Sequence, residues 1–453
     1  MDLLNDAARR AHNYLNSIHD RRVSPAPESI TALEAAIKTE LPANPTPPET
    51  VLEEIDQHGS PATVATQGGR FFGFVTGGTT PAALAASWMV SAWDQNAALR
   101  VMSPAAAIFE ETALTWLRDL LNLPEQSAGA IVTGATMANF TGLAAARHAL
   151  LKKQNWDVEN DGLFGAPPIT VVVGGEVHVS LLKALGMLGL GRRRVLRVPV
   201  DSQGRMRADS LPPLNENTIV CIQAGNVNTG AFDPAAEICE AAHQAGTWVH
   251  VDGAFGLFAA MSPHYRHLTN GFEQADSWAT DGHKWPNVGY DCGLAFVRDA
   301  EALRAAMTMN AAYLPPGAHR DPCHYTPEMS RRARGVELWA AIRAQGRTGM
   351  AALIERTCSH ARRFADALRA AGHTVLNDVV LNQVLVSFGT PDQTLTVMRR
   401  IQADGVCWCG ETQWQGHVAM RISVSSWATT EADVDAALAS ILLAATHPSG
   451  DML

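Results

Sequence analysis

The segment TWVHVDG, residues 247–253, decides the fold. It is a short apolar run that closes on an acid and a glycine. Strands apolar on both faces belong inside a sheet that helices cover on both sides. Asp252 ends this run, an expensive place for a charge unless a partner or a ligand meets it. A second run, SWATDG (277–282), leads to Lys284, 32 residues beyond Asp252, and raises the same question.

Outward from this segment the pattern repeats. GAIVTG (129–134), ITVVVGG (169–175), RVLRVPV (194–200), TIVCIQAG (218–225) and GLAFVRD (293–299) are short apolar runs. Helix-like stretches such as 136–153 and PAAEICEAAHQAG (234–246) lie between several of them. Seven strands alternating with helices predict a large α/β domain with a seven-stranded, mostly parallel sheet over residues 61–310. Residues 330–371 read as a long amphipathic helical region, with Gly346 and Gly349 as interruptions. Beyond it come a helix at 391–403, a strand pair within 406–427 and a last helix capped by Thr429 or Thr430. Residues 311–453 thus form a smaller C-terminal α/β domain headed by a mobile loop. Residues 1–60 break at two proline-rich stretches and predict a helical arm that wraps the rest of the chain or a second copy.

Composition narrows the function. The chain has 453 residues and a net charge of −10, which disfavours nucleic acid as a main partner. Seven scattered cysteines, with Cys407 and Cys409 spaced unlike a zinc knuckle, predict reduced thiols in a cytoplasmic protein and no metal site. The N-terminus has no apolar core of a signal peptide, and no run is long enough to span a membrane, so the sequon at Asn139 carries no glycosylation meaning.

Ligands of open α/β sheets bind beyond the carboxyl ends of the strands. At one such end, Gly134, Ala135 and Thr136 open a helix whose N–H groups suit an anion. Asp252, Gly253 and Ala254 let a flat ligand approach the backbone at another. His178 follows a third strand and Lys284 a fourth. Singly, each has an ordinary structural explanation: a turn, a cap, a satisfied histidine, a surface lysine. Jointly they fit pyridoxal 5'-phosphate. Its phosphate would sit on the helix N-terminus and its ring nitrogen on Asp252, with the aldehyde in a Schiff base with Lys284 and the ring between His178 and Ala254.

The chain resembles the group II pyridoxal-phosphate-dependent amino-acid decarboxylases, the aromatic-amino-acid and glutamate decarboxylases among them, which have the fold type I architecture. The matching stretches are RFFGFV (70–75), SPAAAIFEE (103–111), TGATMAN (133–139), EVHVS (176–180), GAFDP (230–234), HVDGAFG (250–256), DSWATDGHKW (276–285) and MRISVSSW (420–427). The resemblance implies the cofactor roles just given and puts His283 beside the phosphate. It also implies a substrate segment at Phe74 and Thr76, a carboxylate-binding Arg421, and a homodimer with shared active sites and the N-terminal arm as its clasp. Three segments depart from the family pattern. Met137 stands where relatives carry Glu. Asn226 and Asn228 replace or flank a Thr pair, which leaves Asn228 as a contact to the ring hydroxyl or the substrate. In the mobile loop, Tyr325 is the one tyrosine in the stretch, with His324 as the alternative proton donor. The expected reaction is decarboxylation of an L-amino acid, bulky or aromatic, to the amine and carbon dioxide. An aminotransferase, a carbon–carbon lyase or a non-catalytic binder of the same cofactor would use the same cradle.

Overall fold

The computed structural model describes residues 2–308 and 319–446. They fall into two compact units. One is drawn from Met1–Gly78, His360–Leu376 and Val384–Leu453, the other from Thr79–Ser359 and Asn377–Gln383. The boundary expected at 310–311, and residues 314–318 of the expected loop, lie outside the described residues.

The larger unit holds all seven strands read from the sequence: β1 Ala128–Val132, β2 Thr170–Gly174, β3 Leu196–Val198, β4 Thr218–Gln223, β5 Trp248–Asp252, β6 Ser277–Asp281 and β7 Gly293–Val297. Their order across the sheet is β1-β7-β6-β5-β4-β2-β3. Neighbours from β3 to β6 are parallel, while β7 is antiparallel to both β6 and β1. Two reversals put β1 back in the direction of β6, so the carboxyl ends of β1, β2, β4, β5 and β6 share one edge. Burial of β4 to β7 at every position explains their unbroken apolar runs.

Helix Ala135–Lys153 packs across β5, β6 and β7. Its small buried residues, Ala138, Gly142, Ala145 and Ala146, let it lie close to the sheet. A Cβ at Gly142 would stand 2.9 Å from the His250 ring. On the next layer Leu143, Leu150, Val171, Val173, Leu181, Leu185 and Ile219 form one buried cluster. The outer strand β1 leaves carbonyls without a neighbouring strand. Arg320 donates to Gly129 O at 2.5 Å and Arg331 to Ile131 O at 2.8 Å, and both guanidinium groups pair with buried Glu110. Charged groups thus close an edge that would otherwise template pairing.

In the other unit, helices Asp2–Asn16, Pro27–Ile37 and Pro48–Glu54 follow the predicted proline breaks. Strands β8 Thr374–Val375, β9 Gln383–Ser387, β10 Gly410–Trp414 and β11 His417–Ser423 make a sheet in the order β10-β11-β9-β8. Helices Pro391–Asp404 and Glu431–Thr446 are also in this unit. Thr390 and Gln393 form a capping box on the first. On the second the cap is Thr430, whose Oγ1 accepts from Asp433 N at 3.2 Å, while Thr429 Oγ1 donates to Gly69 O. The helical stretch Arg334–Ala370, which belongs to the larger unit as far as Ser359, is interrupted at Gly346 (φ 60°), one of the two predicted glycines.

Candidate active site

Strand ends β5 and β6 are neighbours, and their loops are tied together: Asp281 N–H donates to Ala254 O at 3.0 Å and Gly253 N–H to Ala279 O at 2.9 Å. Asp252 is 4% exposed. Asn139 Nδ2 donates to its Oδ2 at 3.4 Å, and Oδ1 takes no hydrogen bond among the described residues. Burial raises the pKa of this carboxyl, and the charges of His178 and Lys284 pull it back down. A buried carboxylate with one open oxygen is an acceptor waiting for a cationic or N–H partner.

Lys284 Nζ pairs with Asp281 Oδ2 at 3.0 Å. Asp281 Oδ1 accepts from Ala135 N–H at 2.5 Å, and His283 Nε2 lies 3.5 Å from Oδ2. Burial holds His283 below the usual imidazole range, and its ring tilts against Tyr290 with centroids 4.4 Å apart. Thr136 and Met137 follow Ala135 in the first turn of helix Ala135–Lys153, and no acceptor meets their N–H groups among the described residues. Such donors at a helix start attract an anion. Gly134 precedes them. A Cβ on Gly293 of β7 would stand 2.4 Å from the Gly134 backbone, so only glycine there permits this turn.

His178 caps helix Val179–Met187. Its Nδ1 accepts from Ser180 N–H at 3.3 Å and lies 2.7 Å from Ser180 Oγ. Asn228 is buried in the loop after β4, its N–H on Asn226 Oδ1. Tyr325 ends the short turn Pro322–His324. It packs against the buried cluster of Ala130, Val132, Ala138, Ala279 and Ala295, with the Arg320 guanidinium 4.1 Å from its ring centroid. Trp339 packs on Phe109 and Trp116.

Three predicted residues belong to the smaller unit. Phe74 is 65% exposed with φ 52°, next to Val75 with φ 60°, two successive left-handed residues that cost strain. The Phe74 ring stacks on Trp408, and Phe71 stacks on Trp408 as well. Thr76 is buried, its N–H on Gly73 O. Arg421 lies on β11, its pKa lowered by burial.

Sequence reasoning assigned no role to Asp281, Asn139 or His250. The signal for His250 was present: Trp248, His250 and Asp252 alternate along β5 and share one face.

Within the larger unit, one edge of a mostly parallel sheet thus presents an open carboxylate oxygen, a lysine and a helix start with free N–H groups. That defines an α/β enzyme of the pyridoxal 5'-phosphate class. The chain belongs to the pyridoxal-dependent decarboxylases: the family described as "Pyridoxal-dependent decarboxylase conserved domain" matches residues 29–390. It is a pyridoxal-phosphate-dependent amino-acid carboxy-lyase of fold type I. Tryptophan decarboxylase 1 of Oryza sativa subsp. japonica is 26% identical over 437 residues, which cover 87% of this chain and 84% of that protein. Aromatic-L-amino-acid decarboxylase of Drosophila lebanonensis is 28% identical over 363 residues, 74% of this chain and 88% of the other. Among solved structures, Oryza sativa TDC with PLP and tryptamine superposes with a TM-score of 0.90 at 24% identity, covering 98% of this chain and 97% of that one. Mouse CSAD gives 0.87 at 23%, covering 98% of each. No helix among the described residues is long and apolar enough to cross a membrane.

Proposed function

We propose that this decarboxylase acts on a bulky or aromatic L-amino acid and that Lys284 and Asp252 carry the cofactor chemistry. The observation that carries the assignment is the buried Asp252, with one oxygen open, on the strand next to the one that delivers Lys284. When bound, pyridoxal phosphate supplies an aldehyde that links to amines and a ring that takes up the electrons of a breaking Cα bond. Lys284 would supply the amine that joins the aldehyde at rest and would yield that aldehyde to the amine of an incoming amino acid. Asp252 holds a proton at the ring nitrogen, an electrostatic contribution of a few kcal/mol in a preorganised site. The N–H groups after Ala135, with the Thr136 hydroxyl, hold the phosphate, and His283 lies beside it. His178 and Ala254 would confine the two ring faces, and Asn228 would meet the ring hydroxyl or the substrate. Tyr325 or His324 delivers the proton to Cα after carbon dioxide leaves.

The substrate reading rests on Phe74 and Thr76 as pocket residues and on Arg421 as the partner of a carboxylate. Aromatic substrates in the names of two relatives support it, as does the exposed Phe74 stacked on Trp408. The N-terminal helices leave Leu4, Ile37 and Ile55 exposed, which supports an arm that clasps a second copy in a homodimer with shared sites. The proposed functional division is an arm (1–60), a cofactor domain (61–310) and a C-terminal domain (311–453). Seven buried cysteines without a disulfide support a cytoplasmic enzyme.

The test is a panel of the common amino acids with diaminobutyrate and ornithine, reading carbon dioxide, amine and keto acid together. Carbon dioxide and amine in equal amounts from an aromatic or bulky substrate are expected. Keto acid without carbon dioxide would overturn the reaction, and exclusive use of a small acidic substrate would overturn the substrate class.

A further inference from the structure

Behind Asp252 lies a row of buried polar groups that the proposed chemistry does not use. Trp248 Nε1–H donates to Ser277 Oγ at 2.9 Å. Ser277 Oγ is 2.8 Å from His250 Nδ1, His250 Nε2 is 2.8 Å from Asn139 Oδ1, and Asn139 Nδ2 reaches Asp252. Asn139, His250 and Ser277 are fully buried, so water does not complete the set.

Chemistry fixes the direction of this row. An indole N–H only donates, so Ser277 Oγ accepts from Trp248 and its own proton is free for His250 Nδ1. The imidazole then carries its proton on Nε2 and donates to the Asn139 oxygen. That turns the Asn139 amide nitrogen toward the Asp252 carboxylate. The opposite tautomer would need an Asn139 N–H at Nε2, which would aim the amide oxygen at the carboxylate and leave two acceptors face to face. Burial keeps His250 neutral, its pKa pushed down to about 3, so the direction holds across the working pH range. Nothing crowds the ring out, because residue 142 is glycine.

We infer that His250 is a positioning residue: through Asn139 it aims an N–H at Asp252, and so holds that carboxylate in the charged, oriented form that keeps a cofactor ring nitrogen protonated. It touches neither cofactor nor substrate. The inference rests on the proposed pairing of Asp252 with pyridoxal phosphate. Hydrogen bonding to the charged form of a carboxylate opposes the effect of its burial. Without it Asp252 holds the ring proton less firmly.

The test has two readouts, neither of them turnover. In the cofactor-free protein, nitrogen NMR of labelled histidine is expected to show His250 neutral with its proton on Nε2. A proton on Nδ1, or a doubly protonated ring, overturns the inference, whatever the enzyme later proves to do. In protein loaded with ¹⁵N-labelled pyridoxal phosphate, H250F is expected to move deprotonation of the ring nitrogen to lower pH by about one unit and to weaken cofactor binding about tenfold. H250Q, which keeps a side-chain N–H, is expected to restore much of both. If H250F does not fold, S277A serves in its place: with no hydroxyl to donate to Nδ1, the Nε2 tautomer loses its enforcement and the ring-nitrogen titration shifts the same way. Ring-nitrogen titrations unchanged from wild type in the folded variants overturn the inference. Failure of wild-type protein to bind pyridoxal phosphate at all overturns the cofactor reading on which it rests. Absence of decarboxylation with a normally protonated ring leaves the positioning role supported and removes only the reaction.

Discussion

Lys284 Nζ stands 3.0 Å from Asp281 Oδ2, while the other oxygen of that carboxylate accepts from Ala135 N–H. One acid therefore joins the amine at the aldehyde end of the proposed site to the helix start at its phosphate end. It also places a negative charge where the phosphate is to sit. Asp281→Asn keeps an oxygen for Ala135 and removes that charge. Competition by inorganic phosphate for pyridoxal phosphate binding is expected to strengthen about tenfold in this variant. Unchanged or weaker phosphate affinity would place the anion elsewhere.

Glu110 is fully buried between Arg331 and Arg320, both of which also hold carbonyls of the edge strand β1. Removing Arg331 strands a charge in the interior. Arg331→Met is expected to cost about 3–5 kcal/mol in urea unfolding. The double variant with Glu110→Gln is expected to lose less than the single one, because the buried charge is gone. Additive losses would show that the pair does not act as a unit.

The neutral, buried His250 predicts acid sensitivity. Its folded-state pKa of about 3 lies below its ordinary 6.5. Above 6.5 neither state holds the proton. Between 6.5 and 3 the unfolded chain takes one up and the folded chain refuses it, so stability falls as pH falls. At about pH 4.5 this single group removes roughly 3 kcal/mol. Denaturant midpoints of wild type and H250Q are expected to diverge at neutral pH and converge toward that pH. A constant difference would contradict the assignment.

Trp408 lies between the rings of Phe71 and Phe74, with centroids 5.0 and 5.3 Å away. If Phe74 contacts an aromatic substrate, its ring needs this backing. Trp408→Leu is expected to raise KM for the preferred aromatic amino acid about tenfold, with a smaller effect on kcat. Equal changes for aromatic and aliphatic substrates would assign Trp408 to stability alone.

All seven strands of the large sheet were legible as short apolar runs, most plainly β4 to β7, where burial on both faces leaves the run unbroken, although β3 is largely exposed. Their order was not, since β7 enters between β1 and β6 by contacts far apart in the chain. Lys284 and Asp252 were legible as costly residues at strand ends, and His178 as a histidine between a strand and a helix. Asp281 was read as part of the approach to Lys284, because a carboxylate three residues before a lysine looks like an ordinary local pair. Asn139 and His250 are 111 residues apart, and only the fold brings the Ala135–Lys153 helix onto β5. Phe74 could be named from its motif, but the stack on Trp408 depends on a contact across more than three hundred residues.

The proposed reaction depends on one pyridoxal phosphate joined to Lys284 with its ring nitrogen on Asp252. Its most direct test is borohydride reduction of the loaded protein, followed by digestion and mass spectrometry. A reduced pyridoxyl group is expected on the peptide that contains Lys284, and none anywhere in Lys284→Ala. A group fixed to another lysine, or cofactor that washes away unreduced, would contradict it.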